Sequence, residues 1–348
     1  MRQGRGSDAV IGGGQMDDGV NLGALADLTA PWALRVAVTL GVPDAVGDEP
    51  IRTRDLAARV GADADALARL LRHLTCRGVF AEVEPGVVEH NAASRKLRVG
   101  DESGWQSWLR LDTIAHKMDR AVTEGLLASV RTGRPSYADL FGSPVWTDLG
   151  ADPDATAEFD EMMQSQNFRW VPGVLDWDWS GVGSVVDVGG GAGSLVADLL
   201  ERWPGLTGHV VDQDANVVAA KELFAERGLA DRADAVALDF FESLPSGSDA
   251  YLLAHVVHDW NDEDTVRILR RCGEAAGPQG RVLVVERAVD AESNSRETTV
   301  KDLRMMTLLG GRERDLASLR GLAERAGLRE RSQTPIQVGH YLLEYVPA

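Results

Sequence analysis

SVVDVGGGAGSL, residues 184–195, is the stretch whose reading decides the fold. A β-branched run reaches the acid Asp187, passes through Gly189, Gly190, Gly191 and Gly193, and opens into an apolar helical pattern. Glycine admits backbone conformations and close ligand approach that a side chain blocks. A loop of this kind after the first strand of a doubly wound sheet lies where such folds bind ligands. A dinucleotide fingerprint, G-x-G-x-x-G, would seat pyrophosphate on the helix N-terminus. Here position 194 is Ser, and an acid at the loop entrance is ill placed beside pyrophosphate. Asp187 suits a ligand carrying a positive ammonium or sulfonium group. A glycine turn with no ligand is the plainer alternative.

Outward from the loop, strands are expected at 184–188, 208–211, 234–238, 250–253 and 281–285, with helices near 193–203, 214–227 and 262–276. Such alternation builds a parallel sheet with helices on both faces. The runs 329–332 and 340–345 flank Gly339 with no helix between them, which predicts an antiparallel pair on the sheet edge. Upstream, 22–41 has one apolar helical pattern, and 51–91 reads helix, glycine turn, helix, hairpin, a winged-helix pattern. More helices run through 105–127 and 154–170, with a loop at 133–150. The fold class is therefore α/β, a doubly wound Rossmann-like sheet behind an all-α/winged-helix N-terminal domain. The expected division is a disordered tail (1–15), the winged-helix domain (16–100), a helical linker and substrate-pocket region (101–172) and the nucleotide domain (173–348).

The chain has 348 residues and a formal net charge of -18, from 36 basic and 54 acidic residues. Such a surface repels phosphate backbones and anionic lipid, so neither nucleic acid nor membrane is expected as a partner. No apolar run is long enough to span a bilayer, and no secretory pattern precedes the first helix. Cys76 and Cys272 stand far apart, outside any CxxC motif, as free thiols in a reducing cytoplasm would.

Two further acids join Asp187. Asp212 closes GHVVD at the tip of the second strand, roughly 20 residues on, the offset at which an acid accepts from a ribose diol. Asp239 follows the next strand in ALDFFESLP beside Phe240; a carboxylate can accept from an adenine amino group and an aromatic ring can cover the base. Any one of them alone could be a solvated strand-end residue. Three at successive strand ends point to a nucleoside pocket.

The segment YLLAHVVHDWNDEDTVRILRRC (251–272) brings His255 and His258 to the end of the fourth strand. Methyl transfer from a sulfonium is an in-line displacement that mainly needs alignment. A base that takes the proton of a phenol adds roughly 10²–10⁴-fold, and histidine suits that work at neutral pH. Glu286 in VLVVERAVD and Glu313 in LLGGRERD could orient the imidazole, although the sequence alone does not bring them to it. Asp259, Asp262, Glu263 and Asp264 look like a metal cluster, but acids at a helix start offset its dipole, so no metal is expected. Met162, Met163, Asn167 and Phe168, with Met305, Met306 and Leu309, could pack on a flat acceptor ring. At helical spacing the methionines serve equally well as core.

DVGGGAGSL, VVD, LDFF, HVVHDWND and GGRERD, in this order, resemble the class I small-molecule O-methyltransferases, in the group holding plant caffeate-type and actinobacterial natural-product tailoring enzymes. The resemblance covers nearly the whole chain. It implies S-adenosyl-L-methionine as cofactor, with Asp187, Gly189 and Gly191 at its methionine end, Asp212 on the ribose, and Asp239 and Phe240 at the adenine. It implies His258 as general base, flanked by Glu286 and Glu313, and a small aromatic acceptor, polyketide-type in the actinobacterial branch. It also implies a homodimer formed through the winged-helix domain, which in this group does not bind DNA. Ala254 departs from the lysine that many relatives carry four residues before the histidine. Some bacterial relatives lack the histidine or have turned to hydroxylation or decarboxylation, so non-methyl chemistry is the alternative. A winged-helix regulator is disfavoured by the acidic charge and by Asp63 and Asp65 at the start of the would-be recognition helix.

Overall fold

The computed structural model describes residues 20–289, 296–337 and 339–348. The tail expected at 1–15 lies outside them. The chain divides into two compact units, Met1–Asp112 and Thr113–Ala348.

In the first unit the apolar pattern at 22–41 forms two helices, Leu22–Ala26 and Thr29–Thr39, rather than the single one expected. Asp27 is the reason: its carboxylate accepts from the Thr29 N–H at 2.9 Å and pairs with Arg77, and a side chain that caps a new helix interrupts the old one. Strand β1 (Ile51–Arg52) leads into the helix Thr53–Val60, a left-handed turn at Gly61 (φ 67°) and the helix Ala64–Cys76. Strands β2 (Phe80–Glu84) and β3 (Val87–His90) complete an antiparallel sheet of order β1-β3-β2. Leu67, Leu71 and Leu74 recur at helical spacing and are buried with Leu56, Phe80 and Val88, each such burial contributing about 1.5–3 kcal/mol. Asp63 is spent as an N-cap, accepting from the Ala66 N–H at 2.8 Å.

In the second unit the long helix Ile114–Thr132 is followed not by the loop expected at 133–150 but by two short helices, Tyr137–Phe141 and Val145–Gly150. They are pinned by tertiary contacts, since buried Tyr137 donates its hydroxyl to Asp148 at 2.5 Å and Asp148 also pairs with Lys117. The helix Pro153–Gln164, capped by Asp152, stops short of the expected residue 170 and gives way to a 3₁₀ turn at Asn167–Arg169.

Seven strands then form one sheet: β4 (Ser184–Val188), β5 (Thr207–Asp212), β6 (Ala233–Ala237), β7 (Ala250–Ala254), β8 (Arg281–Arg287), β9 (Leu328–Gln337) and β10 (His340–Pro347), in the order β6-β5-β4-β7-β8-β10-β9. The first five are parallel, and β10 lies antiparallel between β8 and β9. The strand order runs one way from β4 through β5 to β6 and the other way from β7 to β8. The crevice at the carboxyl ends of β4 and β7 is thus the switch point where ligands bind in such sheets. The helices Ser194–Arg202 and Asp214–Glu226 bury Leu195, Leu199, Val217 and Phe224 on one face. Asp262–Ala276 and Leu316–Arg325 bury Val266, Leu269, Leu319 and Leu322 on the other. Among the described residues no helix is long and apolar enough to cross a membrane.

Candidate active site

At the carboxyl end of β4 the chain turns through Gly189 (φ 78°) and Gly191 (φ 56°), a backbone region that side chains resist. A Cβ on Gly189 would lie 2.9 Å from Val256 Cγ2, so the loop packs directly on the segment leaving β7. A Cβ on Gly190 would come within 2.6 Å of Asp187 Oδ2. Asp187 itself is buried, and its Oδ1 has no hydrogen-bond partner among the described residues. Burial, reinforced by the charge of Asp212, pushes its carboxyl up to about 7. Asp212 accepts the Gly191 N–H on Oδ2 at 2.8 Å, and the Gln213 N–H and Asn216 Nδ2 on Oδ1 at 2.7 and 2.8 Å.

A third acid at the loop was not foreseen. Asp160, on the helix Pro153–Gln164, places Oδ1 3.5 Å from where a Cβ on Gly191 would stand. Burial and then Asp212 push its carboxyl up to about 7 as well. In the sequence it is one of several acids on a polar helix, and nothing local marks it. Among the described residues no basic side chain pairs with Asp160, Asp187 or Asp212. Such a pocket suits a ligand bringing its own positive charge, and the ammonium and sulfonium of S-adenosylmethionine match it. Phe240 stands beside the loop, with Cε1 3.8 Å from the Gly189 Cβ position and its ring edge-on to Trp260. Asp239 is exposed at the end of β6 and accepts the Phe241 N–H at 2.9 Å.

Beyond β7, His255 takes a left-handed conformation (φ 56°), the only non-glycine among the described residues to do so, and donates its N–H to the Val285 carbonyl. A 3₁₀ turn, Val257–Asp259, then aims His258 at β8. Its backbone N–H donates to Glu286 Oε1 at 3.2 Å, its Nδ1 lies 3.0 Å from Glu313 Oε1, and Glu286 Oε2 is 3.7 Å from the same nitrogen. On the other side Asp259 Oδ1 approaches Nε2 at 3.4 Å. Burial alone would depress this imidazole, but Glu286, Asp259 and Glu313 together outweigh it and push it up to about 10. Burial raises Glu286 to about 7 and Asp259 to about 6 against the pull of His258. Burial works the same way on Glu313, but there the hydrogen bond with His258 prevails and holds the carboxyl below its usual range.

The reach of Glu313 depends on a close backbone approach. A Cβ on Gly311 would sit 2.1 Å from the His258 carbonyl, to which the Arg312 N–H donates at 2.8 Å. Buried Arg314 donates to the carbonyls of Val257 and Trp260 at 2.8 and 2.7 Å and to Asp262 Oδ1. The GGRERD segment is thus laid along the 257–260 backbone, with Glu313 delivered to the imidazole.

The expected trio of His258, Glu286 and Glu313 is therefore assembled. One expectation is corrected. Asp259 is not part of the solvated acidic start of the helix Asp262–Ala276; it turns inward to His258, because the 3₁₀ turn separates it from the helix that Asn261 caps. Asp262, Glu263 and Asp264 do occupy that first turn. Met162 is fully buried core, while Met163, Asn167, Met305 and Met306 keep partial exposure. Asp160, Asp259, Gly311 and Arg314 stand at this candidate site without the sequence reading having placed them there.

A family model described as an O-methyltransferase domain matches residues 124–329, and one described as an O-methyltransferase dimerisation domain matches residues 24–100. The chain belongs to the O-methyltransferase family. This O-methyltransferase is 42% identical over 318 residues to the 2,7-dihydroxy-5-methyl-1-naphthoate 7-O-methyltransferase of Streptomyces carzinostaticus, covering 91% of this chain and 95% of that one. It is 39% identical over 310 residues to the aclacinomycin 10-hydroxylase RdmB of Streptomyces purpurascens, covering 87% and 82%. Among solved structures, an O-methyltransferase from neocarzinostatin biosynthesis, in complex with S-adenosylmethionine and 2-hydroxy-5-methyl naphthoic acid, is similar with a TM-score of 0.87 and 41% identity, covering 94% of this chain and 99% of that one. The methyl donor of this O-methyltransferase is S-adenosylmethionine.

Proposed function

We propose that this O-methyltransferase methylates a phenolic hydroxyl on a fused aromatic ring, with His258 as the base. The observation carrying the reading is an imidazole bracketed by three carboxylates, on a segment that packs against a glycine loop lined by acids that have no basic partner of their own. Relatives named for naphthoate and mitomycin methylation support a polycyclic acceptor.

S-adenosylmethionine, when bound, supplies an electrophilic methyl group. Asp187 and Asp160 would hold its ammonium end, Asp212 its ribose, and Asp239 and Phe240 its adenine. Glu313 fixes Nδ1 of His258 by its hydrogen bond, so Nε2, with Asp259 Oδ1 3.4 Å away, is the nitrogen that would exchange a proton with the acceptor. An imidazole raised to about 10 is matched to a phenol, whose own pKa is about 10, so the transfer between them costs little. Without an acceptor beside it, an imidazole raised to about 10 is imidazolium at neutral pH. The reactive pair has one proton fewer, written equally as phenolate with imidazolium or phenol with neutral imidazole. Met163, Asn167, Met305 and Met306 would line the acceptor's ring. The unit containing residues 24–100 would join two copies into a homodimer working in the cytoplasm.

Incubation with isotope-labelled S-adenosylmethionine and a panel of hydroxynaphthoates, simple phenols and aliphatic alcohols tests this. Label is expected on the oxygen of fused-ring phenols. Label on alcohols in preference to phenols, or a hydroxylated product without label, overturns the reading.

A further inference from the structure

Beside the methyl-transfer machinery, two imidazoles converge on one carboxylate oxygen. Nδ1 of His255 lies 3.8 Å, and Nδ1 of His258 3.7 Å, from Oε2 of Glu286. The three residues offer ligand atoms that all lie within 4.8 Å of one another. Oε2 is buried and has no hydrogen-bond partner among the described residues, whereas Oε1 of the same carboxylate accepts the His258 N–H. An ion about 2.0–2.2 Å from each donor requires donors roughly 3.3–3.7 Å apart, so the His258 edge stands at the upper end of that range and the His255 edge, at 3.8 Å, just beyond it. The left-handed turn at His255 brings its ring there, 5.5 Å from the ring of His258 between centroids. The His255 side chain keeps 17% exposure and that of His258 14%, while that of Glu286 keeps 3%.

We infer that His255, His258 and Glu286 form a binding site for a divalent transition-metal ion. Two imidazoles and one carboxylate are a donor set that zinc favours, with a fourth position open to water. The ion takes no part in methyl transfer. It needs the Nδ1 of His258 that now faces Glu313, so its entry expels the imidazole proton to solvent and breaks that hydrogen bond. Loss of activity on zinc binding rests on the reading of His258 as base, whereas the site itself does not.

The full chain, stripped with a chelator, is titrated with zinc by calorimetry and with cobalt(II) by visible absorption, beside His255→Asn. Asparagine tolerates the left-handed conformation at this position, so the variant keeps its fold, and its uptake of S-adenosylmethionine by calorimetry verifies that. The wild type is expected to bind one ion with proton release, to show a low-symmetry cobalt spectrum that zinc erases, and to lose methyl transfer. His255→Asn is expected to weaken metal binding by more than the roughly 10–100-fold that loss of a ligand's supporting partner costs, and to transfer methyl groups in the presence of zinc. Absence of a cobalt spectrum in the wild type, or equal metal affinity in the variant, overturns the inference. An ion bound through His255 with activity intact keeps the site and sinks His258 as the base.

Discussion

The glycine-loop edge and the histidine cluster are both built from buried carboxylates, and they are electrostatic opposites. At the loop, half-buried Asp160 and buried Asp187 share the field of Asp212 and face no basic partner among the described residues, so both are driven up to about 7. At the cluster, Glu286, Asp259 and Glu313 surround a cation that the chain itself supplies, and that cation is driven up to about 10. An uncompensated buried charge is costly, whereas one with a close counter-charge is tolerated. The loop is therefore finished only by a positively charged ligand, while the cluster is finished by folding. On the proposed reading, one half of the site would hold the cofactor and the other would exchange a proton with the acceptor.

Three measurements separate the two halves. The largest effect is expected from His258→Ala, which should lower kcat for a phenolic acceptor by roughly 10²–10⁴-fold while the Kd for S-adenosylmethionine changes little. An unchanged kcat, measured in single turnover, would reduce the cluster to a structural device and transfer to mere proximity. Next, Asp212→Ala should weaken S-adenosylmethionine binding by about 10–100-fold in calorimetry, the size of a lost charge-assisted hydrogen bond, with methyl transfer at saturating cofactor far less affected. Equal loss in both quantities would mean that the halves are not separable.

The smallest effect is in pH. A cationic ligand favours the ionised forms of Asp160 and Asp187, so binding releases protons, and affinity should fall below pH 7 by up to about tenfold per unit for each of the two groups. Turnover should instead rise with pH toward the alkaline range, since the reactive pair carries one proton fewer than the resting imidazolium. His258→Gln should lower turnover, leave only the alkaline rise set by ionisation of the phenol itself at about 10, and leave the acid limb of cofactor binding in place. A single pH limb common to binding and turnover would break the distinction.

The two halves also differ in how far the sequence reveals them. The glycine loop is legible because its requirement is local: left-handed angles at Gly189 and Gly191 next to an acid, at a strand-to-helix turn. Asp212 and Asp239 follow because strand ends fix their side of the sheet. The cluster is legible only in its parts. His258, Glu286 and Glu313 stand on three separate elements, and Asp259 read as an ordinary helix-start acid. Asp160 carries no signal at all, since only the packing of its helix beside the loop sets it apart from its neighbouring acids.

By itself the sequence determined the alternation of strands and helices, the glycine turn, the acids at the strand tips and the imidazole beyond the fourth parallel strand. These rest on backbone preferences and on apolar periodicity, which act over a few residues. The tertiary structure decided which acids face which partner: the approach of Gly311 to the His258 carbonyl, the inward turn of Asp259, the unpaired burial of Asp187 and the convergence of His255 on Glu286. Contacts across tens of residues follow from strand order and from packing in a dense interior, where burial sets the charge of each group, and no short stretch of the chain carries that information.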